Sequence, residues 1–177
     1  VRHILAMNNV DEILFGNAFA TEEEFKQVAD VMKEVYVHVD KVTQFGEMIS
    51  NILPHGDLKR LPLGIELAEG VTDTEKEILH YGSHQVSEYI HYMIRSRWTR
   101  LFYKNADIPC RDFGKEYFEK GDVLIVNNNL SFYKAEIQIC MKPMKNTGQR
   151  NLLGHISKDA LCILDLIHKG DIFTITE

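Results

Sequence analysis

The sequence lacks the segments that carry proteins into or across membranes. None of its apolar runs is long enough to span a bilayer. It also has no basic segment followed by an apolar segment and a small-residue cleavage site, which is the pattern of a secretory signal. Cysteine is scarce: the three cysteines (Cys110, Cys140 and Cys162) are odd in number and far apart, which favours buried, free thiols over disulfides or a metal site. We therefore expect a cytoplasmic protein without a membrane partner.

The sequence also lacks the short motifs of several catalytic and cofactor sites. It contains no glycine-rich phosphate loop, no Gly-x-Ser-x-Gly elbow and no cysteine–histidine arrangement typical of a nucleophile. His80 and His84 stand four residues apart, but no third metal ligand lies within sequence reach. The formal net charge of −6 gives no bulk attraction for nucleic acid. We therefore expect no metal, no cofactor and no nucleic-acid partner.

What the sequence does contain is typical of a globular protein. Its 177 residues are 45% hydrophobic and 26% charged, which is enough for a sizeable core in one or two domains. These numbers leave the oligomeric state open, and a homo-oligomer is compatible with them.

The first 43 residues predict a helix–strand–helix unit. Residues 1–7 have the pattern of a helix end and residues 11–17 that of a strand, while residues 21–35 form an amphipathic pattern that begins with a capping box at 21–24. A single buried strand cannot pair its own backbone groups. We therefore expect its partner strands upstream in a longer protein or in another molecule, and poor folding of these 177 residues alone.

A mostly-β region follows. Residues 44–62 have no clear period and predict a linker, whereas residues 63–177 predict short strands separated by turn signals, including Lys-Gly-Asp at 120–122 and 169–171. Two helices are expected within this region, one after a capping box that begins at Thr72 and one from Ser157. The expected strands are 64–68, 89–103, 123–127, 132–141, 152–156 and 172–176. This pattern favours a closed or nearly closed β-barrel.

The densest basic feature is the run from Arg95 to Arg100. On a strand, Arg95 and Arg97 share one face with side chains roughly 7 Å apart, so the two guanidiniums could clamp a phosphate. The alternative is a solvated strand face whose arginine stems cover apolar neighbours, which is the commoner use of a charged run. Residue types alone leave both interpretations open.

Uncharged polar residues cluster at the ends of the predicted strands. Asn127 and Asn128 carry donors and acceptors that suit sugar hydroxyl or acetamido groups, although asparagines at such positions also simply form turns.

Glu136 alternates with Lys134 and Gln138, so the three side chains share a strand face that meets either water or a cleft.

Asn17 is a candidate for a different reason. It ends the predicted strand in the first region, and in parallel α/β folds the carboxyl ends of strands face the active site. The other interpretation is a turn residue before the following helix.

Taken in order, these residues resemble the MupG-like family of 6-phospho-N-acetylmuramidases, formerly described as outer-surface-like proteins of unknown function. Residues 11–24 resemble the last strand and helix of that family's first domain, and the likeness is densest from 95 to 173. The matching motifs there are Arg95-Ser96-Arg97, Asp107-Ile108-Pro109, Gly121-Asp122-Val123, Asn127-Asn128, Tyr133-Lys134, Glu136-Ile137-Gln138-Ile139, Arg150-Asn151 and Gly154. Ser131 and Ala135 depart from the family at positions where relatives tend to carry glycine.

The resemblance implies a fold class of α/β plus mostly-β with two domains. Residues 1–43 would be the last strand and helix of a (β/α)8 TIM barrel, residues 44–62 a linker, and residues 63–177 a cyclophilin-like β-barrel. It also implies a glycoside hydrolase that cleaves N-acetylmuramic acid 6-phosphate from N-acetylglucosamine in cell-wall sugar recycling. Its partner would be a phosphorylated amino-sugar disaccharide, and its catalytic carboxylates are expected in barrel strands that this sequence does not contain.

Within this sequence the resemblance assigns binding roles only, so the catalytic residues stay unknown. Three arginines would hold the anionic part of the substrate, and the neighbouring polar side chains would position sugar groups. The substrate-binding candidates are Arg95, Arg97, Asn127, Asn128, Tyr133, Glu136, Arg150 and Asn17. The alternative function is a non-catalytic cyclophilin-like module that binds a carbohydrate or phosphosugar or serves regulation.

Overall fold

A strongly curved β-sheet forms the centre of the computed structural model, which describes residues 1–7, 13–16, 19–43 and 47–177. The helices are α1 (Arg2–Ala6), α2 (Glu22–Val35), α3 (Glu47–Ile52), α4 (Asp73–Leu79) and α5 (Thr99–Phe102), with 3₁₀ helices at Asn128–Tyr133 and Leu161–Asp165. The strands are β1 (Tyr36–Val39), β2 (Gly56–Leu67), β3 (His84–Gln85), β4 (Glu88–Ile90), β5 (Met93–Ser96), β6 (Tyr117–Phe118), β7 (Asp122–Val126), β8 (Ile137–Cys140), β9 (Met144–Lys145), β10 (Arg150–Ile156) and β11 (Ile172–Thr176).

The main sheet is a nearly closed β-barrel. Within the described residues its strand order is β3-β11-β2-β10-β7-β8-β5-β4, with β1 paired to the first part of β2. β3 and β4 lie at opposite ends of this order, yet only Val86 and Ser87 separate them in the chain. The Val86 amide donates to the Asp171 carbonyl and the Ser87 amide to the Arg95 carbonyl, each at 2.9 Å. The bend at Val86 and Ser87 therefore brings the two ends of the sheet together at a seam.

The interior of the barrel is apolar. Ile94, Ile125, Ile137 and Phe173 are fully buried there and contribute to one continuous hydrophobic cluster. A smaller cluster lies on the outer face, where the two-stranded sheet of β6 and β9 covers Leu124 and other residues. The side chains of β7 and β8 therefore have cover on both faces, which explains why these strands read as nearly continuous apolar runs.

The cysteines do not share one environment. Cys140 is buried in the outer cluster, and burial raises the pKa of its thiol to about 12. Cys110 and Cys162 are exposed, so the expectation of buried thiols was wrong for these two. Both sit on connections outside the packed strands, where the sequence around a cysteine gives no burial signal.

The helix predicted over 21–35 is confirmed. The hydroxyl of Thr21 accepts a hydrogen bond from the amide of Glu24, and the Glu24 carboxylate accepts one from the Thr21 amide at 2.7 Å. The Glu24 pKa is lowered mainly by the backbone hydrogen bond from Thr21. No helix in the described part of the chain is long and apolar enough to cross a membrane.

The strand predicted over residues 11–17 is not formed by the residues that are described there. Residues 13–16 adopt neither helix nor strand, and Leu14 is 85% exposed. An isolated strand cannot satisfy its backbone groups, and none of the strands described above pairs with this segment. Residues 11, 12 and 17 lie outside the described residues, so the barrel end expected at 1–43 stays a prediction.

The expectation of one long strand over 89–103 was wrong. A turn at His91 and Tyr92 separates β4 from β5, and the chain then enters the short helix α5. The two strands pair with each other as a hairpin. The alternation of side chains between the two faces of a sheet continues from one strand of a hairpin into the next. The sequence pattern therefore gave no sign of the turn between β4 and β5.

Two other segments also differ from expectation. The strand predicted over 132–141 is shorter, because the 3₁₀ helix Asn128–Tyr133 occupies its start and β8 begins only at Ile137. The helix expected from Ser157 is reduced to the 3₁₀ helix Leu161–Asp165. The predicted linker 44–62 contains α3 and the first half of β2 where it is described, since β2 continues far enough to pair with β1.

The two Lys-Gly-Asp turns have the same local structure. Gly121 and Gly170 have φ angles of 93° and 96°, which favour glycine. In each turn the aspartate carboxylate accepts a hydrogen bond from the backbone amide three residues earlier, at 2.8 Å for Asp122 and 2.7 Å for Asp171. The turns then enter β7 and β11, as the sequence predicted.

Candidate functional site

A row of polar side chains crosses the outer face of the barrel. In the antiparallel register Glu88 of β4 lies opposite Arg95 of β5, and Arg95 lies opposite Gln138 of β8. Because directly opposite residues in adjacent strands point to the same face, these three side chains form one continuous line. They come from three different strands of the sheet.

Glu136, just before β8, is the centre of this row. Its side chain is fully buried, and its carboxylate accepts hydrogen bonds from Arg95 Nε at 2.6 Å and Nη2 at 3.1 Å. Gln138 Nε2 donates to the same carboxylate at 2.8 Å, and Arg100 Nη1 lies 3.7 Å away. A buried charge needs this kind of pairing to be tolerated. Ala135, with φ of 67°, makes the tight backbone bend that precedes Glu136.

The row extends in both directions from Arg95. Glu88 accepts hydrogen bonds from Arg95 Nη1 at 2.7 Å and from Arg97 Nη2. At the other end, Arg150 Nε donates to Gln138 Oε1 at 2.6 Å. Burial alone lowers the pKa of Arg95, but its hydrogen bonds and ion pairs with Glu136 and Glu88 offset this and leave the pKa raised. Burial lowers the pKa of Arg150.

Tyr133 lies between two of the arginines. Its ring centre is 5.1 Å from Arg95 Cζ and 5.5 Å from Arg100 Cζ, within the range of cation–π contacts. Phe132, which is 77% exposed, packs edge-on against Tyr133. The ring of Tyr133 therefore contacts two guanidiniums that also share the Glu136 carboxylate.

The row has an excess of positive charge. Its guanidiniums come from Arg95, Arg97, Arg100 and Arg150, whereas its carboxylates come only from Glu88 and Glu136. Four positive and two negative groups leave a local surplus of two charges on a chain whose formal net charge is −6. Such a surplus favours an anionic ligand.

A groove of about 480 Å³ opens next to this row at the barrel seam. Three cationic side chains line it, from Arg97, Arg100 and Lys169. Its walls include the indole of Trp98 and the side chain of Leu101, and none of its lining residues carries a carboxylate. Trp98 Nε1 donates to Gln85 Oε1 at 3.1 Å, which fixes the orientation of the indole ring.

Asn127 and Asn128 lie away from the groove and hold neighbouring loops. Fully buried Asn127 accepts a hydrogen bond from the Asn129 amide and donates to Asn151 Oδ1 at 2.9 Å. Asn128 accepts from the Ile108 amide at 3.2 Å and donates to Asp107 at 2.7 Å. Both amide groups are thus engaged in contacts within the chain, and their sugar-binding role stays a prediction.

The structure therefore brings some of the candidates together and not others. Arg95, Arg97, Glu136 and Arg150 belong to one hydrogen-bonded row, and of these Arg97 also lines the groove. Tyr133 joins the row through its cation–π contact with Arg95. Asn17 lies outside the described residues. In the described part of the chain, no group of three or more potential metal ligands is close enough to hold a metal ion.

Sequence reasoning missed three residues of the site. Arg100 and Trp98 stood in the basic run, but a long strand would have alternated them with Arg97 across its two faces. The short helix α5 instead brings both to the groove. Lys169 carried no signal of its own as a site residue, because only closure of the barrel places its turn in one groove with Arg97 and Arg100.

The comparisons with known proteins now decide the family. The model of the family described as "6-phospho-N-acetylmuramidase, C-terminal" matches residues 61–176, about two thirds of the chain. This chain belongs to that family. The match starts within β2 and ends in β11, so it spans the barrel that carries both the arginine row and the groove. No curated protein sequence gives a significant match.

Solved structures support the same fold. One is the crystal structure of an uncharacterized B. cereus protein, 28% identical, with a TM-score of 0.74 over 99% of this chain and 43% of that chain. Another, a conserved Enterococcus faecalis protein of unknown function, is 24% identical with a TM-score of 0.53 and covers 66% of this chain and 30% of that chain. This member of the 6-phospho-N-acetylmuramidase family thus spans less than half the length of the solved structures that it matches.

Proposed function

We propose that this chain is the carboxyl-terminal part of a cytoplasmic glycoside hydrolase of cell-wall sugar recycling. The bond cleaved joins N-acetylmuramic acid 6-phosphate to N-acetylglucosamine, and the contribution of this chain is to bind the phosphorylated sugar. The family match supports the class of substrate. The observation that carries the binding role is the surplus of guanidiniums, four against two carboxylates, beside an open groove.

The charge of the ligand fits the charge of the site. A phosphomonoester carries about −1.5 to −2 charges at pH 7, which matches the surplus of two positive charges. Arginine is well suited to phosphate because its planar guanidinium can donate two hydrogen bonds to two oxygens. Arg97 and Arg100 are the members of the row that also line the groove.

The chemistry of bond cleavage belongs elsewhere. Glycoside hydrolysis uses two carboxyl groups that flank the bond at roughly 5–9.5 Å from each other. Glu136 is fully buried beneath Arg95, and Glu88 is bridged by Arg95 and Arg97. Both carboxylates are thus engaged by arginines of this chain, and neither lines the groove. We assign the catalytic pair to the TIM-type barrel that the family resemblance implies.

A second function is favoured by the composition of the groove. Because no carboxylate lines it, the β-barrel could bind a phosphosugar without taking part in any turnover. The chain would then be a non-catalytic carbohydrate-binding or regulatory module. The two functions predict the same binding but different turnover.

Release of N-acetylglucosamine tests the proposal. The intact protein, in which this chain is joined to the TIM-type barrel that the resemblance implies, is incubated with the phosphorylated disaccharide and with its unphosphorylated analogue. Binding of N-acetylmuramic acid 6-phosphate to this chain is measured by calorimetry. Cleavage of the phosphorylated substrate supports the hydrolase. Binding without release supports the module. If the sugar is neither bound nor released, both functions are contradicted. In an active protein, Arg97→Ala should raise KM for the phosphorylated disaccharide much more than for the analogue.

A further inference from the structure

The groove lies where three separate segments of the barrel meet. One segment runs from the end of β3 into the bend before β4 and supplies Gln85, Val86 and Ser87. A second runs from the end of β5 into α5 and supplies Arg97, Trp98, Arg100 and Leu101. Lys169 and Gly170 come from the turn before β11. A ligand in the groove would therefore contact both ends of the curved sheet at its seam.

The cations of the groove are incompletely neutralised. Lys169 is exposed, and in the described part of the chain it forms no ion pair or hydrogen bond. Arg100 has its nearest carboxylate, that of Glu136, at 3.7 Å. Arg97 Nε and Arg100 Nη1 are both buried without a hydrogen-bond acceptor. Buried donors are nearly always paired in proteins. These two arginine N–H groups therefore lack the acceptors that would normally offset their positive charge.

The apolar part of the groove gives it a second property. Trp98 is held in place by its hydrogen bond to Gln85, and Leu101 and Val86 extend the apolar surface beside it. The volume of about 480 Å³ lies within the range of small-molecule sites. A flat indole beside cationic groups suits a ligand that has a carbon ring and an anionic substituent.

We propose that this groove is the phosphate subsite, with Lys169 and Arg100 bound to a phosphomonoester and Trp98 packed against the sugar ring that carries it. The inference rests on the proposed function, which supplies a phosphosugar as the ligand, and it adds the location and the residues. In this assignment the main phosphate contacts come from Lys169 and Arg100 in the open groove, and not from the more buried Arg95 and Arg150. Arg97 completes the set of cations around the phosphate.

Charge reversal of Lys169 tests the subsite with little risk to the fold, because this side chain is exposed and unpaired. Binding of N-acetylmuramic acid 6-phosphate is measured by calorimetry for the unsubstituted protein, for Lys169→Glu and for Lys142→Glu. Lys142 is an exposed lysine outside the groove, so its variant has the same change in net charge. We expect Lys169→Glu to raise Kd roughly tenfold to hundredfold, as for a lost charged hydrogen bond, and Lys142→Glu to leave Kd within about twofold.

Two further ligands test the phosphate contact and the ring contact separately. N-acetylmuramic acid without the phosphate retains the ring and the lactyl carboxylate, and glucose 6-phosphate retains the phosphate on a simpler ring. We expect the first to bind at least tenfold more weakly than the phosphorylated sugar, and Lys169→Glu to weaken glucose 6-phosphate as well. Trp98→Leu should weaken both sugar phosphates but not inorganic phosphate, because only the sugars have a ring to pack.

The outcomes distinguish this inference from the proposed function. If the unsubstituted protein binds the phosphosugar and Lys169→Glu binds it equally well, the groove assignment is wrong while the proposed function stands. Equal affinity for the phosphorylated and unphosphorylated sugars would also overturn the assignment. Absence of binding overturns the subsite, and turnover of the phosphorylated disaccharide then decides separately on the hydrolase.

Discussion

On the outer face of β5 and β8, Glu136 is buried within a network of charged partners, whereas on the inner face His84 is buried among neutral ones. Arg95 of β5 points to one face and Ser96, its neighbour, to the other. Glu136 is paired with the Arg95 guanidinium. His84 instead has Ser96 Oγ at 3.1 Å and the Leu79 carbonyl at 2.9 Å, and its ring stacks on Phe173.

The comparison shows two ways in which neighbouring side chains of β5, Arg95 and Ser96, accommodate buried ionisable groups from other segments. On the outer face the Glu136 carboxylate is matched by guanidiniums, so removing one partner leaves the other uncompensated. On the inner face the charge is given up: burial lowers the pKa of His84 to about 4, so the ring is neutral at pH 7. The first arrangement suits a site for anions, and the second suits a hydrophobic core.

Removing the charge partner on the outer face should have the largest effect. Arg95→Ala leaves the fully buried carboxylate of Glu136 without its bidentate partner, and we expect the free energy of unfolding to fall by about 3–5 kcal/mol at pH 7. Urea denaturation measures the change. Arg97→Ala is the matched control, because its partner Glu88 is partly exposed, and it should cost less than about 1 kcal/mol. Equal losses in the two variants would show that burial of Glu136 carries no special penalty.

The neutral histidine of the inner face predicts a dependence on pH. Because its folded pKa of about 4 lies below the unfolded value of 6.5, the unfolded chain takes up a proton first as the pH falls. Stability that is complete above pH 6.5 is therefore lost as the pH falls through 6.5 toward 4. Between pH 7 and pH 5 this loss amounts to roughly 2 kcal/mol.

The variant His84→Gln isolates this part of the pH dependence, since glutamine does not titrate. Unfolding free energies from urea titrations at pH 7 and pH 5 give the slope for each protein. The drop should be about 2 kcal/mol smaller in His84→Gln than in the unsubstituted protein. An identical drop in both would mean that the ring can accept a proton inside the barrel.

The two faces also show what the sequence could predict. Local signals predicted α2 and the two Lys-Gly-Asp turns, because their hydrogen bonds join residues three positions apart. The arginine pair at Arg95 and Arg97 was predicted as one face of a strand, although its strand ends before Arg97. Which carboxylate meets which arginine was not predictable, since register between distant strands sets these pairs. The position of Lys169 beside the groove depends on closure of the whole barrel.

The hydrogen bond from Ser96 to His84 should matter less than the charged pairs. The Ser96 hydroxyl donates to Nδ1 when the Nε2 proton donates to the Leu79 carbonyl. Ser96→Ala removes this donor and leaves a buried ring nitrogen unpaired, and we expect a loss of about 1–2 kcal/mol in the free energy of unfolding. Thermal and urea unfolding at pH 7 provide the measurement. No loss would indicate that the ring nitrogen finds another donor within the core.

The smallest effect is expected where the outer face relies on an aromatic ring and not on a carboxylate. The Tyr133 ring contacts both Arg95 and Arg100, and Tyr133→Leu should cost about 1 kcal/mol because both cation–π contacts are lost. Tyr133→Phe keeps the ring face and should be nearly neutral in the same urea titration. If the phenylalanine variant is as unstable as the leucine variant, the hydroxyl and not the ring stabilises this position. A loss confined to Tyr133→Leu would instead show that the arginines on this face are held by ring faces as well as by carboxylates.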